Sequence, residues 1–438
     1  MSSLKFSSSA HWDDLNAHLS VPRGERFAFA LTKCRRVGSE PILEVVDVEL
    51  ISDEETSFTD GGWEVEDSAI DRVHSRAKVE GLGLVEFHNH LHGPPAFSRT
   101  DELSLTPTAE YVTSLLPGRP YGAGVFVDGQ VHVDYWRQEE DGLQRRTFRS
   151  VLVTEDRLRL VNVLDATAPT RLRRQRALLG EQGSDTLGRL RMAIVGAGGT
   201  GSQAALALAH LGIGEILIFD DDDVEDTNLN RLVTGGFPDL GLPKSHVAKR
   251  RMREIDPNLK ISIFGGVTPA GEHPELHDVD VILGCVDHDG PRDLMNQIAV
   301  STATPYFDIA TGIGLDWSPP WVGGRVILVT RGGPCLYCLD ELNAGEVGRW
   351  TKSLDDQARD RQHGYGSGTN DPAVVHLNGI AVNAAVTELI AWISGHRAPA
   401  QRLDIDLNGH LAPADSASGA RVCPEVPLAP RLDCVACC

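Results

Sequence analysis

The feature that most constrains this chain is a run of alternating strand-like and helix-like segments between residues 192 and 285. Short apolar stretches at 192–195, 215–219, 260–264 and 279–285 alternate with helical stretches at 202–210 and 244–255. Strands separated by helices need crossover connections, and these imply a parallel sheet with helices on both faces. The strand at 192–195 runs directly into Gly196-Ala197-Gly198-Gly199-Thr200-Gly201-Ser202, and a helix follows. In that setting the glycines allow a tight turn and a close approach of backbone to a phosphate, while the helix N-terminus favours negative charge. Asp220 ends the next strand, where a carboxylate can accept hydrogen bonds from a ribose. Up to this point a dehydrogenase and an ATP-using adenylating enzyme are served equally well.

The residues that follow separate the two. In Asp220-Asp221-Asp222-Asp223-Val224-Glu225-Asp226-Thr227-Asn228-Leu229-Asn230-Arg231 an acidic strand end stands beside an asparagine and an arginine. Lys244 closes Gly241-Leu242-Pro243-Lys244, Cys285-Val286-Asp287 is followed by Arg292, and an Arg174-Gln175 pair precedes them all. This order resembles the superfamily of ThiF, MoeB and ubiquitin-activating enzymes, over roughly residues 171–437. The resemblance implies a Rossmann-like, doubly wound adenylation domain that binds ATP and Mg²⁺. Its cofactor-binding set would be Gly196, Gly198, Gly199, Gly201, Asp220, Asp222, Asn228, Arg231, Lys244 and Asp287. Asp220 would hold the ribose and Asn228, Arg231 and Lys244 the phosphates. Asp287 would bind Mg²⁺, and Arg174 would reach into the other subunit of a homodimer. The chemistry suits these residue types, because a carboxylate attacking the α-phosphate of ATP meets a polyanion whose charge must be neutralised. Mg²⁺ takes oxygen ligands and few protein carboxylates.

Cys335-Leu336-Tyr337-Cys338 and Cys434-Val435-Ala436-Cys437 make a CxxC…CxxC pair. Four thiolates suit a closed, tetrahedral structural zinc, with Cys438 able to stand in for Cys437. Members of the similar family that form a thioester or persulfide carry a cysteine in the crossover segment between the two pairs. Residues 339–377 hold none, and Ser367 stands where one could have been. Cys423 is a poor substitute.

The first ~155 residues read differently, as an α+β mixture. Strand-like runs at 27–32, 43–50, 84–87 and 124–134 are mixed with helical ones at 12–19 and 68–79. In Glu86-Phe87-His88-Asn89-His90-Leu91-His92, His88 and His90 are alternate residues and point the same way along a strand. HxHx7SxxD, ending on Ser98 and Asp101, resembles the JAMM (MPN/JAB-type) zinc metalloproteases. That resemblance implies a catalytic zinc on His88, His90 and Asp101, an oxyanion contact from Ser98 and an upstream glutamate as general base. Glu25 opens a strand-like run and is chosen for the base, with Glu40 and Glu44 as competitors. The usual H[ST]HP is altered here, with Asn89 and Leu91 in place of the small hydroxyl residue and the proline.

The expected organisation is therefore a JAMM-like domain over 1–160 and an adenylation domain over 161–438. Lys+Arg number 41 against 62 Asp+Glu, a formal charge of -21, which argues against a broad nucleic-acid-binding face. The longest apolar stretch, 377–393, is interrupted by Asn378, Asn383 and Glu388 and reads as a buried helix rather than a membrane span. Without a signal-like N-terminus, the expected location is the cytoplasm. The two resemblances together imply an enzyme that acts on a ubiquitin-like or sulfur-carrier protein ending in glycine. It would adenylate the terminal carboxylate and cut after that glycine, either trimming a precursor or removing the carrier from targets. The activated carrier would pass to a cysteine, supplied here or by a conjugating enzyme, or become a thiocarboxylate. A binding scaffold with inactive sites is the alternative of a different class.

Overall fold

The computed structural model describes residues 2–37, 40–59, 62–161, 170–269, 271, 273–315, 320–352, 373–407 and 434. The chain divides into two compact units, Met1–Thr167 and Ala168–Cys438. The expected boundary lay between residues 160 and 161; residues 162–169 are outside the described set.

The first unit contains β1 (Ser3–Phe6), α1 (Ser9–Leu19), β2 (Phe27–Val37), β3 (Glu40–Leu50), β4 (Thr56–Thr59), β5 (Gly62–Val65) and α2 (Asp67–Glu80). It continues with β6 (Gly83–Asn89), α3 (Arg99–Leu115), β7 (Tyr121–Val127), β8 (Gln130–Glu139), β9 (Gly142–Thr147), β10 (Ser150–Val153) and β11 (Arg159–Leu160). Nine strands form one mixed sheet in the order β11-β10-β1-β3-β2-β6-β7-β8-β9, and β4 and β5 pair separately. Strand periodicity explains its two cores. Along β2, Ala28 and Ala30 face one way and pack with Trp12, Leu15 and Leu19 of α1. Phe29 and Leu31 face the other way and pack with Val73 and Ala77 of α2 and Leu105 and Ala109 of α3. A one-residue slip would exchange the two sets, so register is strongly held. The expected single strand at 124–134 is instead the hairpin β7–β8. Asp128 and Gly129 both have positive φ (48 and 78°), the two-residue turn that an Asp-Gly pair favours.

The second unit begins with a 3-10 turn at Thr170–Leu172 and continues with α4 (Arg176–Arg189), β12 (Arg191–Val195), α5 (Gly199–Leu211), β13 (Glu215–Phe219), α6 (Lys244–Ile255) and β14 (Lys260–Phe264). Then come α7 (Pro274–His277), β15 (Val281–Gly284), α8 (Asp289–Thr302), β16 (Tyr306–Gly314), β17 (Trp321–Val329), α9 (Ala344–Trp350), the helix Val375–Ser394, labelled α10 here, and β18 (Arg402–Asp406). The sheet order is β14-β13-β12-β15-β16-β17-β18. β14 to β16 are parallel, and β17 and β18 extend the sheet antiparallel. Chain order reverses at β12, between β13 and β15. That switch point opens a crevice at the carboxyl ends of the strands.

The run Arg171, Arg173, Arg174 and Arg176 reads in the sequence as one charged helix, but the helix starts only at Arg176. Arg171 is drawn away to the C-terminus of α5, where it donates to the carbonyls of Ala209 and His210. The Ala209 carbonyl also takes the Gly212 amide at 3.3 Å, and a cation at these last carbonyls suits the helix dipole. α10 is the described helix long and apolar enough to cross a membrane, with 56% of its apolar window buried inside the protein. It packs on α4, α5, β16 and β17. Its buried Glu388 is paired with Arg397 at 2.6 Å.

Candidate functional site

At the end of β12 the chain turns through Gly196, whose φ of +90° few side chains adopt. A Cβ on Gly201 would lie 1.8 Å from the Gly196 carbonyl oxygen, so nothing larger than glycine fits. α5 begins at Gly199 with Gly198 as its cap, and by helix geometry its first amides lack intrahelical partners. The crevice beside them is an anion site in waiting.

Asp220 stands next to this loop. One carboxylate oxygen accepts the Ala197 amide at 2.6 Å and the other the Asp222 amide at 3.1 Å. Burial raises its pKa nonetheless, against the pull of that Ala197 bond and of the nearby Lys244 charge. Lys244 opens α6 with its side chain largely buried and its Nζ 2.7 Å from Asp222. Asn228 is buried, and its Oδ1 accepts the Glu225 amide at 3.1 Å. Arg231 donates to the Thr227 carbonyl at 2.8 Å, and its methylene stem lies over Gly199. The structure thus brings Gly196, Gly198, Gly199, Gly201, Asp220, Asp222, Arg231 and Lys244 around one loop, with Asn228 buried in the turn that leads to Arg231.

Asp287 is exposed two residues beyond Cys285, whose carbonyl accepts the Thr200 hydroxyl at 3.2 Å. Arg292 is the anchor below it. Its guanidinium donates to Asp308 at 2.9 and 2.7 Å and to the Glu341 carbonyl at 3.0 Å, and it also bonds Asp289. Burial disfavours its charge, but the Asp308 hydrogen bonds outweigh that and hold the pKa above its ordinary value. Cys285, the thiol beside the loop, is pushed up to about 12 by burial, which disfavours its thiolate. Arg174 is exposed ahead of α4, and among the described residues it makes no hydrogen bond or ion pair to the loop.

One contributor escaped the sequence reading. Asn378, taken there only as a break in an apolar run, is buried in the first turns of α10. Its Oδ1 accepts the Thr311 hydroxyl at 2.9 Å, and its amide nitrogen lies 2.2 Å from where a Cβ on Gly199 would sit.

Cys335, Cys338 and Cys434 come together elsewhere in this unit. Cys335 Sγ lies 3.7 Å from Cys338 and 3.4 Å from Cys434. Thiolates about 2.3 Å from a tetrahedral zinc stand roughly 3.8 Å apart, so three of the four expected ligands fit one ion. Cys437, with Cys438, Cys423 and Ser367, lies outside the described residues. Asn296 ties this knuckle to α8 by accepting the Leu336 amide at 2.9 Å.

The first unit holds a second cluster. His88 is the last residue but one of β6, His90 follows the strand, and Asp101 comes from the first turn of α3. His88 Nε2 and His90 Nε2 are 3.2 Å apart and lie 3.4 and 3.3 Å from Asp101 Oδ2. A tetrahedral zinc with ligands at about 2.05 Å needs a face with edges of roughly 3.3 Å, which this triangle supplies while leaving a fourth position open. Burial would raise the pKa of Asp101, but hydrogen bonds from His88 and His90 hold it well below the usual carboxylate range.

Ser98 caps α3: its hydroxyl oxygen accepts the Asp101 amide at 3.2 Å, and its amide donates to Asp101 at 2.6 Å. Its cap role uses the oxygen as acceptor and leaves the hydroxyl proton to donate. Among Glu25 and its competitors, Glu40 is bound to Tyr135 and Arg146, and Glu44 accepts from Ser7. Glu25 is the one whose charge helps raise the His90 pKa, after the Asp101 hydrogen bond and the Asp101 charge.

Asn89 explains how Glu25 is held there. Its side chain is buried, accepts the Arg26 amide at 2.7 Å and donates to the Gly24 carbonyl at 3.3 Å. It therefore clamps the backbone on both sides of Glu25. Asn89, one of the two departures from the H[ST]HP pattern, thus has a positional duty of its own.

Comparison with known proteins addresses the second unit. Residues 172–428 match the family model described as "ThiF family". The chain is 33% identical over 136 residues to the sulfur carrier protein ThiS adenylyltransferase of Escherichia coli, 30% of this chain and 54% of that protein. It is 31% identical over 180 residues to the SAMP-activating enzyme E1 of Haloferax volcanii, 40% of this chain and 63% of that one. With the adenylyltransferase and sulfurtransferase uba4 of Aspergillus fumigatus it shares 33% over 168 residues, 37% of this chain and 33% of that protein. The chain thus spans about half the length of the curated relatives it matches. The family model takes in more than half of this chain, the glycine loop included: the protein belongs to the ThiF family.

Proposed function

We propose that the second unit uses ATP to adenylate the C-terminal carboxylate of a small sulfur-carrier or ubiquitin-like protein ending in glycine. The observation that carries this reading is the gathering of Asp220, Arg231 and Lys244 around the glycine loop at the sheet's switch point, with Asn228 buried in the turn before Arg231. A carboxylate oxygen of the carrier attacks the α-phosphorus, the bond to the β-phosphate oxygen breaks, and pyrophosphate leaves. Lys244 exchanges Asp222 for phosphate oxygens, and Arg231 and Asn228 hold the same chain of phosphates. Asp220 accepts from the ribose. Asp287 would hold Mg²⁺, which supplies charge neutralisation. Arg174 completes the site of a second copy in a homodimer.

The relatives named as sulfur-carrier enzymes favour sulfur chemistry for the next step. A sulfur donor then displaces AMP and leaves a thiocarboxylate. Transfer to a cysteine of a conjugating enzyme is the competing route; a transfer to Cys285 is disfavoured by that thiol's raised pKa. Mass spectrometry of the carrier after incubation with ATP, with and without sulfide, tests this. An acyl adenylate in the first case and a thiocarboxylate in the second are expected. A carrier of unchanged mass in both would sink the reading.

A second reading, for the first unit, rests on the His88, His90 and Asp101 triangle. We infer a JAMM-type zinc peptidase that cuts after the carrier's terminal glycine. His88, His90 and Asp101 would hold a zinc ion, which would supply Lewis acidity. Glu25 takes the proton of the attacking water, Ser98 donates its hydroxyl proton to the oxyanion, and Asn89 fixes the Glu25 backbone. In this account one zinc is catalytic and the other, on Cys335, Cys338, Cys434 and Cys437, is structural. A carrier extended beyond its glycine should be activated by the wild type and not by Glu25→Gln, while the mature carrier serves both. Equal activation of the extended carrier by both proteins would remove the trimming role.

A further inference from the structure

The chain carries a formal charge of -21, yet α6 bears Lys244, Lys249, Arg250, Arg251 and Arg253 against the single acid Glu254. His246, Lys249, Arg250 and Arg253 recur at i, i+3, i+4 and i+7 and so form one stripe along the helix. Val247, Ala248 and Met252 turn the other way, into the core. The stripe lines a groove of about 560 Å³ whose other residues are Glu254 and Ile263. Arg250 is paired with Asp239 at 2.7 Å, and Arg251 with Glu254. Lys249 and Arg253 have no ion-pair partner among the described residues.

Ile263 belongs to β14, which stands at the edge of its sheet. The Phe264 carbonyl accepts the Asp220 amide at 3.3 Å, so the Phe264 peptide groups face inward, toward β13. Successive residues of a strand direct their backbone groups to opposite sides. The N–H and C=O of Ile263, and of Ile261 before it, therefore face outward, and no described strand pairs with them. One wall of the groove is cationic, and beside it lies an open row of backbone donors and acceptors.

We propose that this groove docks an extended, acidic segment of a partner protein, which joins β14 as an added strand and sets its carboxylates against Lys249 and Arg253. Strand addition takes affinity from main-chain hydrogen bonds and specificity from side chains along the groove. A cationic edge rejects neutral strands and so guards against edge-to-edge aggregation. The same charges select an acidic strand. Glu254 in the lining and the open backbone edge favour a peptide over a nucleic acid, which has no main chain to pair.

The test uses the full chain and a labelled peptide of alternating glutamate and valine, followed by fluorescence anisotropy. Binding should weaken steeply as salt rises. It should fall about tenfold or more in the double variant Lys249→Glu, Arg253→Glu, and by a similar factor when alternate peptide nitrogens are methylated. The milder pair Lys249→Gln, Arg253→Gln should give an intermediate loss, and ATP binding by both variants reports that the fold is intact. Failure of the peptide to bind, indifference to both substitutions, or equal binding of the methylated peptide would overturn the proposal. So would an oligothymidylate that binds as tightly as the peptide.

Discussion

The glycine loop of the second unit and the His88–His90–Asp101 triangle of the first are built on opposite principles. The loop works largely through main chain: two glycines let Gly196 and Gly201 approach each other, and the first amides of α5 face the crevice. The triangle works through side chains: three groups from β6, the residue after it and α3 meet within 3.4 Å. A backbone site is lost by adding atoms, and a side-chain site by removing them. The contrast also decides how each site is supported. The loop is held by the parallel sheet below it, whereas the backbone on both sides of Glu25 is held by a side chain, Asn89, with Arg26 also paired to Asp53.

The largest expected effect follows from adding one methyl group. Gly201→Ala places a Cβ against the Gly196 carbonyl oxygen, and nucleotide affinity measured by calorimetry should fall by about a hundredfold or more. Unchanged affinity would mean that the loop does not carry the site. Removal of atoms is the matching experiment in the first unit. His88→Ala with His90→Ala should take away one of two zinc ions per chain and leave ATP–pyrophosphate exchange intact. Loss of both ions, or of neither, would break the division between the units.

Asn89→Ala sharpens the comparison further. It leaves the Arg26 amide and the Gly24 carbonyl without their partner, at a cost of about 1–3 kcal/mol in a chemical denaturation series. Zinc should stay bound while peptide cleavage slows, because the Glu25 backbone loses its clamp. An equal loss of zinc would make Asn89 part of the metal site's fold rather than of the Glu25 loop's.

These differences explain what could be read from the sequence. Strand and helix limits at 215–219, 244–255 and 260–264 coincide with Glu215–Phe219, Lys244–Ile255 and Lys260–Phe264, because Gly, Pro and Asp punctuate each end. The glycine loop and its charged neighbours lie in local order along the chain. Asn89 and Asn378 were invisible because their partners are distant: Arg26 is 63 residues from Asn89, and Thr311 is 67 from Asn378. The hairpin β7–β8 reads as one strand in sequence because its turn is only two residues, Asp128-Gly129, between apolar runs. The arginine run before α4 read as helix because helix propensity says nothing of the α5 carbonyls that capture Arg171.

The smallest effect expected is a pH dependence in the second unit. Burial would raise the pKa of Glu388, but hydrogen bonds from Arg397 and the Ala400 amide outweigh it and hold it below its ordinary 4.5. A depressed folded pKa contributes stability above the unfolded value, and that contribution is lost as pH falls through the folded one. The melting temperature should therefore decline between about pH 5 and 3, with a shallower decline in Glu388→Gln. Identical slopes would show that the Arg397 pair contributes nothing to acid stability.

The central claim is that the glycine loop activates a free terminal carboxylate. The most direct measurement is ATP–pyrophosphate exchange by the full chain with a sulfur-carrier protein ending in glycine, set against the same carrier with its C-terminus amidated. An amide offers no carboxylate oxygen to the α-phosphorus, so exchange should require the free carrier and vanish with the blocked one. Equal exchange with both carriers, or exchange with neither, would contradict the account.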